Sequence, residues 1–136
     1  MDPTRVLTLE VVLDGSRGDD LYRPSSIDTD DRCVMIQEDP GARGIHRARI
    51  LRYDTRTRRL DEIAECAEMD RKLRPLPKGQ GGEWESSGIR NVSDILGEDS
   101  WLLAVQAHTL RVRQRGGRWG EAGQILLLRG DRYPRQ

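Results

Sequence analysis

Five residues of this chain have side chains and positions suited to chemistry. Glu38 and Asp39 end the run Cys33-Val34-Met35-Ile36-Gln37, immediately before Pro40-Gly41. Two neighbouring carboxylates there are either oxygen donors for a metal or the solvated acidic rim of a hairpin. The residues alone leave both readings open. Glu85 lies between Trp84 and Ser86-Ser87-Gly88. His108 closes an apolar strand-like run, two residues after Gln106. It is read either as a structural histidine bonded to a loop or as a proton-transfer group.

Other residue types exclude chemistries. Ser86 and Ser87 stand in no GxSxG elbow, so a serine nucleophile is not expected. Cys33 and Cys66 are the two cysteines, far apart and in no CxxC spacing. They read as small buried hydrophobes, able to form a disulfide only in an oxidising compartment. The basic stretches "TRTRR" and "RVRQRGGR" fall in turns, have acidic neighbours and lack an aromatic ladder. With 23 basic against 23 acidic residues, no net field draws the chain to nucleic acid or a membrane surface. No run approaches the roughly 20 apolar residues of a membrane helix. The N-terminus does not read as a signal peptide, which leads to the expectation of a cytoplasmic chain.

The elements that must position these residues are short strands. Val6–Leu13, rich in Val and Leu, predicts a first strand closed by Asp14-Gly15. Residues 26–38 predict two short strands around the turn "DTDDR". "ARILRYDTRTRRLDEIAE" alternates on both sides of a polar turn and predicts an antiparallel hairpin. A helix over 60–73 is its rival. "RPLPKGQGGE" (74–83) predicts a long, mobile connection. Gly88–Val92 predicts a short strand, and Ser93–Gly97 a turn or one helical turn capped by Ser93. Trp101–His108 predicts a strand with Leu102, Ala104 and Gln106 on one face and Leu103, Val105 and Ala107 on the other. Gln124–Leu128 is the last.

Strands at this spacing with no βαβ alternation predict an all-β, antiparallel fold: a sandwich, barrel or propeller. A coarse strand–turn–strand pattern over 26–66 returns loosely over 87–128, the size of a propeller blade. At 136 residues the chain is one small domain or part of a larger one. Charged residues are 34% and aromatics 4%, so its core is thin.

Five phrases occur together in order: "MIQEDPG", "ARILRYDTRTRRLDEIAE", "WESSGIRNVSDILG", "WLLAVQAHT" and "EAGQILLL". In this spacing they resemble the C-terminal region of the PhoX-type bacterial alkaline phosphatases, calcium- and iron-dependent β-propellers several times longer than this chain. The resemblance covers nearly all of 5–129. It implies a partial β-propeller of about two blades, 5–73 and 84–129 joined through 74–83. It implies metal-dependent phosphomonoester hydrolysis only once further blades complete the ring. It also implies that Glu38 and Asp39 face a central channel as calcium ligands, since calcium takes closely spaced carboxylate oxygens. Glu85, Gln106 and His108 would face the same channel. Iron, held in the family partly by a cysteine elsewhere, is not expected from this chain. Full-length relatives are exported.

Two departures weigh against catalysis. Pro24-Ser25-Ser26 stands where relatives carry Pro-Asp-Asn, and Ala104 where they commonly carry Asp. The alternative is therefore a degenerate or truncated propeller piece that is non-catalytic, an interaction module or without function. Its exposed strand edges would pair with another copy or with a separately encoded N-terminal part.

Overall fold

The computed structural model describes residues 8–40, 46–77 and 80–130. It is all-β. The chain forms β1 (Pro24–Thr29), β2 (Cys33–Glu38), β3 (Arg49–Asp54), β4 (Leu60–Glu65), β5 (Trp84–Asn91), β6 (Ser100–Arg113) and β7 (Trp119–Arg129). A 3-10 turn, Gly15–Arg17, precedes β1, and one helical turn, α1 (Ser93–Leu96), joins β5 to β6. The strands make two antiparallel meanders, β1-β2-β3-β4 and β5-β6-β7, each strand beside its neighbour in sequence.

One core lies between the sheets. β2 and β3 contribute Cys33, Met35 and Ile50, and β5 and β6 contribute Trp84, Ile89, Trp101, Leu103, Val105 and Ala107. Alternation decides this: in a strand every second side chain points the same way. The expected division of β6 holds, with Leu103, Val105 and Ala107 buried and Gln106 exposed. Side chains also stitch the sheets together. The Gln37 Oε1 accepts from the Ile89 N–H (2.8 Å), the Asp28 carboxylate from Asn91 N–H (2.7 Å) and the Ser26 hydroxyl from Gly88 N–H (3.2 Å).

The far face of the first sheet is also covered. Ile36, Leu51 and Tyr53 lie under Leu13 and Leu21 from the irregular arm before β1. This corrects the expectation of a strand over Val6–Leu13. Residues 8–13 form no strand, and Leu9, Val11 and Val12 are exposed; residues 6 and 7 lie outside the described residues. Strand propensity has no effect without an edge to pair with.

The hairpin over 49–65 forms and the rival helix does not. β5 starts at Trp84, four residues before the expected Gly88. Gly88 instead sits at φ +64° in a bulge where the register shifts between Ser87 and Arg90. Val92, not Ser93, caps α1, without a side-chain bond. The connection over 74–83 is tied down rather than loose, although Lys78 and Gly79 lie outside the described residues. Arg47 donates to the carbonyls of Leu76, Pro77 and Gln80, each at 2.8 Å. The buried Glu68 carboxylate accepts from Gly82 N–H (2.6 Å) and Glu83 N–H (3.3 Å). Gly81 passes that carboxylate at φ +110°, where a Cβ would lie 2.7 Å from it.

Candidate functional site

Glu38 and Asp39 leave the end of β2 in opposite directions, as neighbours on an extended chain must. The register that sets Gln37 opposite Ile50 brings Glu38 beside Arg49 on β3. Glu38 is fully buried. Its Oε2 accepts from Arg49 Nε at 2.6 Å, and its Oε1 from Arg49 Nη2 at 2.8 Å and from Tyr22 N–H at 2.7 Å. Arg49 also donates to Asp20 (2.9 Å), whose carboxyl it holds below the usual carboxylate range. The hydrogen bonds it donates to Glu38, then to Asp20, push the guanidinium's own affinity for its proton up. Asp39 lies at the surface and pairs with Arg23 at 3.1 Å.

This geometry does not fit the implied calcium pair. Both Glu38 oxygens accept from the Arg49 guanidinium, Oε1 also from the Tyr22 N–H, and Asp39 faces elsewhere. Among the described residues, no group of three or more His, Cys, Asp or Glu side chains is arranged to hold a metal ion. A bidentate Arg–carboxylate pair inside a protein is a strong, fixed contact.

Three of the five sequence-selected residues do come together elsewhere. Asp39, Glu85 and His108 line an open groove of 1460 Å³, with Arg23, Arg111 and Glu121. His108 reaches it through a bulge. Pairing jumps from Ala107↔Ala122 to Arg111↔Glu121, which leaves His108, Thr109 and Leu110 without partners on β7. Bulges commonly re-aim a side chain in this way. Trp84 steadies the bulge by donating its indole N–H to the Thr109 hydroxyl at 2.8 Å.

His108 lies between two carboxylates. Nδ1 is 2.7 Å from Glu121 Oε2, and Nε2 is 3.7 Å from Glu85 Oε2. Glu121 first, and Glu85 after it, raise the His108 pKa above its ordinary 6.5, while His108 lowers that of Glu121. A histidine so oriented by one carboxylate can hold or pass a proton at its other nitrogen near neutral pH. Gln106 is not part of the groove; it donates to the Ser87 hydroxyl at 3.3 Å on the exposed sheet surface. Ala104 lies opposite Ser87 and Ile125. Ser25 donates to the Gln37 carbonyl at 3.3 Å. Cys33 and Cys66 are buried core thiols not joined in a disulfide, and burial pushes Cys66 up to about 11. No described helix is long and apolar enough to cross a membrane.

Sequence reasoning missed Arg49 and Glu121, the partners that define both clusters. Arg49 was accessible: it opens the hairpin strand that must neighbour "VMIQE". Glu121 was not, because the bulge at 108–110 displaces the register by which it would be found.

Two outcomes follow. Millimolar calcium leaves the melting temperature of the chain unchanged, while Glu38→Ala destabilises it by about 3–5 kcal/mol, as removal of one partner of a buried pair does; calorimetry with and without calcium reads both. The His108–Glu121 pair stabilises only while His108 is protonated and Glu121 ionised. Because the His108 pKa is raised on folding, its contribution is full below about 6.5 and fades as pH rises through the folded value. The Glu121 contribution, lowered on folding, is full above about 4.5. Urea midpoints of wild type and Glu121→Gln therefore differ most between these two values and converge in alkali.

No protein-family model matches the chain, and no curated protein or solved structure matches it either.

Proposed function

We propose that the chain is the C-terminal portion of a PhoX-like β-propeller, equivalent to about two blades, and that phosphomonoester hydrolysis requires blades beyond its own. The observation that carries this reading is where the resembling phrases fall. "MIQED" is β2 and its end, "ARILRYD" and "LDEIAE" are the β3–β4 hairpin, "WESSGI" opens β5, "WLLAVQAHT" is β6 and "GQILLL" is in β7. They belong to two meanders that share one core. A propeller blade is a four-stranded meander of this kind; the second sheet here has three strands. The groove supplies a histidine with a raised pKa held between Glu85 and Glu121, which suits proton transfer, while its arginines Arg23 and Arg111 are paired with or close to Asp39 and Glu121. Calcium and iron, which the family uses, would have to be held by residues outside Glu38 and Asp39.

A second reading is favoured by a specific feature. With Glu38 committed to Arg49 and Ala104 lacking a donor, the chain works as a non-catalytic piece that offers its bare strand edge for assembly.

Hydrolysis of p-nitrophenyl phosphate separates the two. The chain alone gives no turnover above buffer with or without calcium. Joined to the remaining blades of a PhoX-type phosphatase, it gives calcium-dependent turnover. Turnover by the isolated chain without metal contradicts the first reading, and an inactive joined protein leaves the second standing.

A further inference from the structure

The two outer sheet faces are unequal. The arm before β1 covers one, through Leu13 and Leu21. The other ends at β7, an eleven-residue edge strand on which Ile125 is 75% exposed and Leu126 and Leu127 are each 41% exposed. No described strand pairs with its outer side. A long apolar edge presents a row of unpaired backbone N–H and C=O groups to another strand. It carries none of the usual protection along its centre: residues 122–128 are Ala-Gly-Gln-Ile-Leu-Leu-Leu, with no charge and no proline.

We infer that β7 pairs antiparallel with β7 of a second copy about a two-fold axis at Ile125. Charge selects the partner and the register. β7 has two charged residues, Glu121 and Arg129, four positions either side of Ile125. In a symmetric antiparallel pair centred there, Glu121 of each copy, whose Oε2 stays on His108 at 2.7 Å, stands opposite Arg129 of the other with its Oε1. Two opposite-charge pairs then flank the apolar centre, and opposite charges directly across a ladder attract. A one-residue slip loses both pairs and turns the faces over. Glu121 and Arg129 share a face with Ile125 and Leu127, because all are odd-numbered positions of one strand. On that face Ile125 lies opposite Ala104, and Leu127 opposite Leu102, so pairing joins the apolar stripes of β6 and β7 of the two copies across four strands, bounded by Ser87 and Arg90 of β5. The contact is isologous and closes at two copies. A single strand pair is a small interface, which places the dimer in the micromolar range. The inference does not depend on the phosphatase reading, since it uses only the strand and its edge.

The test combines sedimentation with cross-linking. The 136-residue chain sediments as a concentration-dependent dimer. Ile125→Lys, which sets two like charges together at the axis and alters an already exposed site, makes it monomeric with an unchanged circular dichroism spectrum. Arg129→Glu weakens dimerisation at least about tenfold, and Glu121→Arg in the same chain restores it. Mild oxidation links Ile125→Cys into a covalent dimer but not Gly123→Cys, whose copies lie across from Leu127 in this register. A monomeric wild type overturns the inference. So does a dimer insensitive to Ile125→Lys, or one in which Gly123→Cys cross-links as readily as Ile125→Cys.

Discussion

The contact on which the rest of the first sheet depends is the buried Glu38–Arg49 pair. It joins the end of β2 to the start of β3 by two charge-assisted hydrogen bonds, and through Tyr22 N–H and Asp20 it holds the arm that lies over Ile36, Leu51 and Tyr53. A carboxylate with no solvent exposure requires such a partner, because desolvation of an unpaired charge costs more than any single apolar contact returns. The pair therefore sets both the register of β2 on β3 and the position of the arm. It also decides chemistry: a carboxylate fixed to a guanidinium is not a vacant metal ligand.

The arm gives the molecule its asymmetry. The central strands of one sheet are covered on both faces, and the other sheet is covered only toward the common core. Low aromatic content is offset by placing Trp84 and Trp101 where both sheets meet, so the few large side chains act where they cover most. The Trp84 indole has a second effect, through Thr109, on the bulge that carries His108 to the groove. Core packing and the groove are linked by that one residue.

Much of this arrangement was legible in the sequence, for local reasons. The hairpin over 49–65 shows period-two alternation on both sides of a polar turn, and the two faces of β6 differ in composition along their length. Residues 8–13 were misread because a strand is defined by its partner, and a Val- and Leu-rich run with none remains an arm. Gly88 reads as a strand start because glycine punctuates sequences; here it sits in a bulge inside one. The site was half legible. Asp39, Glu85 and His108 do share a groove, whereas the partner of Glu38 is not its sequence neighbour but Arg49, eleven residues on, in the adjacent strand. Adjacent residues in a strand diverge, and cross-strand residues meet.

The most direct test of this account is a double-mutant cycle on the buried pair. Stabilities of wild type, Glu38→Met, Arg49→Leu and the double variant are measured by urea unfolding. The account predicts that the double variant is more stable than either single one, with a coupling of at least about 2 kcal/mol, because each single change leaves a buried charge alone. Strictly additive losses would show that Glu38 does not depend on Arg49, and the central contact would be wrong.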